Sequence, residues 1–264
     1  MTKWGISPYI AFTGEDPRLA RRIHEQSLSG RTVLITGANG GLGEQFVEQA
    51  LARGAKKVYA AARSPKLWVD VKVQAIPLDI TKAEDIASAL EAAPDVDLLI
   101  NNAGIAPAGD SIIGPTDELR RIFETNFFGT LAVSNAFAPV LAANGGGTLL
   151  NIISAAAWIS VPTGYAASKA AMWSATNSLR VALKSQGTHV LGLFVGMVDT
   201  PMTTRWDVPK VSAASVVDKA YDGIAEGLIE ILADDSAKEL KSRLSMKSED
   251  LYPWMDELLQ GFVP

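Results

Sequence analysis

Residues 32–43 read TVLIT-GANGGLG, and this stretch decides the fold. Thr32–Thr36 is a short run of apolar and β-branched residues, the pattern of a buried strand. Glycines follow at Gly37, Gly40, Gly41 and Gly43, and a helical stretch then runs to about Arg53. Glycines let the backbone turn sharply and approach a ligand closely. The helix behind them offers free N–H groups and the positive end of its dipole to an anion. A glycine turn alone is also what a purely structural left-handed turn would use, so its meaning depends on what surrounds it.

Outward from this turn, strand-like and helix-like stretches alternate. Further strands are predicted at Lys57–Ala61, Val73–Leu78, Asp97–Ile100, Thr148–Ile153, His189–Val195 and Gly227–Ala233. Helices are predicted at Lys82–Ala92, Thr116–Ala143, Gly164–Lys184 and Ser212–Glu226. The strands are continuously apolar rather than alternating, as expected when both faces are covered by helices. The expectation is an α/β fold: a doubly wound parallel sheet of the Rossmann type, three layers deep, with about seven strands. Residues 30–264 would form one domain and residues 1–29 an N-terminal arm. Asp16-Pro17 suits the start of a short helix over about Pro17–Gln26. The arm would either pack on its own domain or carry Trp4, Tyr9 and Phe12 to another subunit.

The 264 residues are 48% hydrophobic and 20% charged, enough apolar content to bury a core without covalent staples. The formal net charge of −5 argues against general nucleic-acid binding, which needs a basic face. The absence of cysteine removes disulfides, thiolate nucleophiles and zinc–cysteine sites. Two histidines, His24 and His189, cannot build a His-rich metal centre, and no metal is expected. No run of about 18 apolar residues predicts a membrane span. Residues 1–12 lack the apolar core of a secretory signal, so a cytoplasmic protein is expected.

The second predicted strand ends in Ala61-Ala62-Arg63-Ser64. An acid there would bond the ribose hydroxyls of NAD. Ala62 cannot, and Arg63 offers a guanidinium to a 2′-phosphate, which favours NADP. Asp79 follows the third strand and could either accept from an adenine or cap the next helix. Asn101-Asn102-Ala103-Gly104 follows the fourth strand, where small residues permit close approach to a ligand, or where an Asn-rich turn ties strands together. Tyr165 and Lys169 stand four apart at the start of a helix and share one face. A free phenol titrates near 10. A neighbouring ammonium favours phenolate, so Lys169 is expected to lower the pKa of Tyr165 and to hold a ribose. Ser154 offers a hydroxyl to a carbonyl oxygen. Asn126 is unfavourable in mid-helix and calls for a solvent face or a structural water.

Taken together, Thr36-Gly37-x3-Gly41-x-Gly43, Asn101-Asn102-Ala103-Gly104, Asn126, Ser154 and Tyr165-x3-Lys169 resemble the short-chain dehydrogenase/reductase family over about residues 30–235. The resemblance implies a nicotinamide cofactor and a catalytic set of Asn126, Ser154, Tyr165 and Lys169. Tyr165 would be the general acid–base and Lys169 its tuning group on the nicotinamide ribose. Ser154 would orient the substrate oxygen, and Asn126 would hold a water behind Lys169. Cofactor contacts would fall on Gly37, Asn39, Gly41, Leu42 and Gly43. Further contacts would come from Arg63, Ser64, Asp79, Ile80, Asn102, Ala103, Gly104, Val198 and Thr200, besides Tyr165 and Lys169.

Two departures stand out. Ser154 and Tyr165 are 11 positions apart, about two fewer than the family pattern implies, so the loop Ala155–Gly164 is short. Val195-Gly196 also replaces a Pro-Gly pair. The expected activity is hydride transfer between NADP(H) and a carbonyl or alcohol. The substrate would be a small hydrophobic ketone or aldehyde lying among Ile105, Trp158, Ile159, Val161, Met197, Met202 and Trp206. A homodimer or homotetramer is expected, joined through helices that carry Phe127, Phe128, Phe137, Met172 and Trp173. The rival readings are a cofactor-binding sensor or scaffold with weak chemistry, and a sugar-nucleotide epimerase or dehydratase. The glycine spacing counts against the latter.

Overall fold

The computed structural model describes residues 27–159 and 161–260. The helix expected over Pro17–Gln26, the aromatic residues of the arm and His24 lie outside the described residues. The elements, in chain order, begin with β1 (Thr32–Thr36), α1 (Leu42–Ala52), β2 (Lys57–Ala62), β3 (Val73–Pro77), α2 (Ala83–Ala92) and β4 (Leu98–Asn101). Then come α3 (Thr116–Phe123), a π-helical turn (Glu124–Gly129), α4 (Thr130–Ala143), β5 (Thr148–Ile152), α5 (Gly164–Ala182) and β6 (His189–Phe194). The chain closes with β7 (Val198–Asp199), β8 (Val211–Ser212), α6 (Ala213–Ala225), β9 (Glu230–Leu232), α7 (Asp235–Arg243) and α8 (Ser248–Leu259).

Seven strands form one parallel sheet in the order β3-β2-β1-β4-β5-β6-β9. Alternate residues of β1 point to opposite faces. Val33 and Ile35 join a core with Phe46 and Val47 of α1 and Val217 and Tyr221 of α6. Leu34 faces the other way, into a core with Ile86 of α2, Phe137 of α4 and Met172 of α5. This is the expected three-layer doubly wound sheet. Its winding reverses between β1 and β4, so a crevice opens at the carboxyl ends of those strands. Tyr221 ties α6 to α1, its ring edge-on to Phe46 and its hydroxyl donating to the Phe46 carbonyl at 2.7 Å.

Three features go beyond the sequence reading. No helix links β2 to β3. Trp68 packs on the core in place of one, and the same segment leaves Leu67, Val69 and Val71 fully exposed. The helix predicted over Thr116–Ala143 is interrupted by the π-helical turn. It is also the one helix among the described residues long and apolar enough to cross a membrane, although it lies against the sheet and contributes Val133, Phe137 and Leu141 to the core. Finally, two helices, α7 and α8, follow the last strand.

Candidate active site

The turn between β1 and α1 is built by glycines with different jobs. Gly37 has φ +67°, and a Cβ there would lie 2.9 Å from the Ala103 Cα. A Cβ on Gly43 would lie 2.1 Å from the Gly37 carbonyl oxygen. Gly41, at φ +57°, precedes α1, and no side chain caps that helix. The first-turn N–H groups therefore lack a side-chain partner, the condition for receiving an anion. Asn102 holds the turn closed: its side-chain amide donates to the carbonyls of Thr36 and Gly37, each at 3.0 Å. The Thr36 hydroxyl accepts from the backbone of Asn102 and Ala103.

A cleft of about 340 Å³ opens beside this turn. Its walls include Gly37, Gly41, Leu42, Asn102, Ala103 and Gly104 on one side, and Ser154, Tyr165, Lys169, Val198, Thr200 and Met202 on the other. Ser154 follows β5, and its hydroxyl accepts from the Ala156 amide at 3.1 Å. The same hydroxyl donates to the Val195 carbonyl at 3.3 Å. Lys169 is buried, with Nζ donating to the Ile152 carbonyl at 2.8 Å and lying 5.6 Å from the centre of the Tyr165 ring. Burial lowers its pKa to about 8. Burial pushes the Tyr165 phenol above its ordinary value, with the Ser154 bond opposing. This departs from the expectation that Lys169 lowers it: desolvation dominates, and Lys169 is not among the causes.

Asn126 stands behind the cleft, in the π-helical turn. Its side chain pairs with the backbone of Ile105 in both directions, accepting from the amide at 2.8 Å and donating to the carbonyl at 2.9 Å. It also donates to the Ser168 hydroxyl. Asn126 is buried, so a solvent face does not account for this mid-helix Asn. A Cβ on Gly104 would come 3.3 Å from Asn126 Oδ1 and 3.8 Å from Lys169 Nζ, so the glycine keeps these groups close.

The other expected residues divide. Asn39 ties the glycine turn to the segment after β2, donating to the Ser64 carbonyl and accepting from the Lys66 amide. Arg63 is exposed there. Asp79 accepts twice from Thr81, while Lys82 is the residue that precedes α2. Burial opposes ionisation of Asp79, but the Thr81 bonds and the charges of Lys82 and Arg63 outweigh it and hold its pKa low. Ile80 is a core residue packed against Gly129. Of the expected substrate contacts, Met202 lines the cleft. Trp158 belongs to the core instead, stacked on Phe194 at 4.1 Å, with Ile159 packed on the same cluster. Trp206 lies under Arg205, while Ile105, Val161 and Met197 are partly buried outside the cleft wall. His189 opens β6, at the amino end of the sheet and away from the cleft.

Two carboxylates that the sequence did not single out support the site. Asp234 accepts from the Gly196 amide and caps α7 through the Ala237 amide, each at 2.8 Å. A Cβ on Gly196 would strike Asp234 at 2.9 Å, which explains the glycine after Val195. Asp110 accepts from the backbone of Gly164 and Tyr165, at 2.9 and 2.8 Å. Neither residue carries a motif; both act through backbone N–H groups far away in sequence. Among the described residues there is no cluster of His, Asp or Glu that could hold a metal.

Comparison with known proteins agrees with this fold. The family described as short chain dehydrogenase matches residues 31–210. The short-chain dehydrogenase PC-15 of Penicillium crustosum is 36% identical over 218 residues, covering 75% of this chain and 77% of that protein. A crystal structure of a short chain dehydrogenase from Burkholderia cenocepacia, in complex with NADP, is similar with a TM-score of 0.81 and 32% identity. That likeness covers 86% of this chain and 98% of the other. A 3-ketoacyl-(acyl-carrier-protein) reductase from Brucella melitensis, complexed with NADH, has a TM-score of 0.71 at 25% identity, covering 79% and 99%.

Proposed function

Because the chain belongs to the short-chain dehydrogenase/reductase family, we propose that it moves hydride between NADP(H) and a carbonyl or alcohol. The observation that carries this reading is one cleft in which Ser154, Tyr165 and Lys169 face the glycine turn. The turn fits a dinucleotide. Side chains at Gly37 and Gly43 would collide with backbone, and α1 keeps its first-turn N–H groups uncapped. Gly37, Gly41, Leu42 and Gly43 would hold the pyrophosphate, Arg63 and Ser64 the 2′-phosphate, and Asp79 and Ile80 the adenine end. Asn102, Ala103, Gly104, Val198 and Thr200 would meet the nicotinamide half.

When bound, the nicotinamide supplies or accepts the hydride. The residues manage the proton and the geometry. As negative charge develops on a carbonyl oxygen, Tyr165 donates its phenolic proton and Ser154 donates a second hydrogen bond. Burial holds the Tyr165 phenol above its ordinary value. Lys169 anchors the ribose, and Asn126 fixes the backbone at Ile105 behind it. The apolar walls at Ile152, Ile153, Val195 and Met202 suit a small hydrophobic ketone or aldehyde. A sensor or scaffold role is less well supported, because the Ser154–Tyr165–Lys169 set is complete.

The test is turnover of NADPH with a panel of ketones and aldehydes by the parent and by Tyr165→Phe. The variant keeps the ring and loses the proton. Its rate should fall about 10²–10⁴-fold, the range for a positioned acid–base group, while cofactor binding persists. Parental turnover in Tyr165→Phe refutes the assignment.

A further inference from the structure

The loop before Tyr165 is two residues short of the pattern this chain otherwise follows, yet Tyr165 still faces the cleft beside Ser154. The first turn of a helix presents N–H groups that have no partner within the helix. In α5 these belong to Gly164, Tyr165 and Ala166. Thr163 accepts from the Ala166 amide at 3.1 Å. The Asp110 carboxylate takes the other two, one oxygen on Gly164 and one on Tyr165. Asp110 comes from the connection between β4 and α3, 55 residues away from Tyr165. That connection is joined to the short loop again where the Ile112 amide donates to the Pro162 carbonyl at 2.9 Å. The fit around Gly164 is close: a Cβ there would lie 3.1 Å from Asp110 Oδ1 and 2.6 Å from Leu119.

We infer that Asp110 is a positioning residue for Tyr165: its carboxylate clamps the first turn of α5 and does the work of the missing loop residues. Two charge-assisted bonds to consecutive amides fix both the height and the rotation of that turn. The phenol is carried on the turn, so a small displacement moves its hydroxyl off the substrate oxygen. The inference rests on the reading of Tyr165 as the acid.

The experiment compares Asp110→Ala, Asp110→Asn and Asp110→Glu with the parent and with Tyr165→Phe. It measures kcat, the NADPH dissociation constant and amide hydrogen exchange in residues 163–167. In Asp110→Ala, kcat should drop about 10²-fold, the scale of an ångström-level misplacement, while NADPH affinity stays within about twofold. Exchange at Gly164 and Tyr165 should accelerate. Asp110→Glu, which keeps both carboxylate oxygens, should recover most of the rate. If Asp110→Ala does not fold, Asp110→Asn carries the comparison, since it keeps the shape and only one acceptor. Parental kcat and exchange in the Ala or Asn variant overturn the inference, as does an equal loss in Asp110→Glu. The two readings fail separately. Parental turnover in Tyr165→Phe removes the acid assignment, whereas exchange at Gly164 and Tyr165 reads the clamp whatever the chemistry.

Discussion

Lys169 is a cation buried against a carbonyl, with no carboxylate bonded to it among the described residues, and the fold bears a cost for it. Its pKa falls from the ordinary 10.5 to about 8 through desolvation. Between those values the unfolded chain binds more protons at this site than the folded one, so stability from this group rises with pH across that window. Below about pH 8 both states hold the proton, and the full penalty applies, on the order of 3 kcal/mol. Lys169→Met should therefore gain stability relative to the parent at pH 7, and the gain should shrink by pH 10. Urea denaturation of both proteins at the two pH values checks this; a difference independent of pH would contradict the assigned burial cost. The raised Tyr165 opposes the trend from about pH 9 upward, as the unfolded phenol ionises through its ordinary value near 10. Residue identity was legible here, but environment was not. The sequence places an ammonium four residues from a phenol, yet it does not show that both would be buried.

Among the elements, strands were the most legible, because parallel strands buried on both faces leave continuous apolar runs. All seven strands of the main sheet fall within a few residues of their expected positions. The misses have physical causes. α7 buries only Ala237 and Leu240, too few to show a period. α8 buries Leu251, Met255 and Leu259 at helical spacing but contains Pro253, which argues against a helix when read locally. Of the candidate site, the motif residues were legible. Asp110 and Asp234 were not, because a carboxylate that serves distant backbone amides leaves no spacing to read. The connection from β2 to β3 bears on cofactor choice. It has no helix, and Asn39 fixes its start by bonding Ser64 and Lys66. Arg63 follows Ala62 directly and is exposed, and neither residue is acidic. NADPH should bind at least about tenfold more tightly than NADH, or about 1.4 kcal/mol. Arg63→Ala should erase most of that preference. Titration of both cofactors against both proteins decides it, and equal affinities in the parent would refute the assignment.

At the scale of the whole molecule, we propose a symmetric homo-oligomer through α4 and α5, an isologous contact. Phe137 and Met172, expected at this contact, are core residues facing the sheet. The outward face instead shows Phe128 at the π-helical turn and Val181 on α5, both more than half exposed. A groove of about 640 Å³ runs along α5 between Trp173 and Ala182. Light scattering should give at least twice the 28.0 kDa of one chain, and Val181→Asp should shift it toward the monomer. A monomeric parent at micromolar concentration would sink the proposal. The reversal of winding between β1 and β4 has another consequence. The glycine turn is supplied by residues 36–43, but the reacting side chains arrive at 154–169, and the far wall only at 195–203. During synthesis, at about 5–20 residues per second, the phosphate cradle emerges many seconds before anything it could present a ligand to. A nascent chain that ends before Ser154 carries the glycine turn without the side chains that react. The topology itself withholds chemistry until translation has passed the sixth strand.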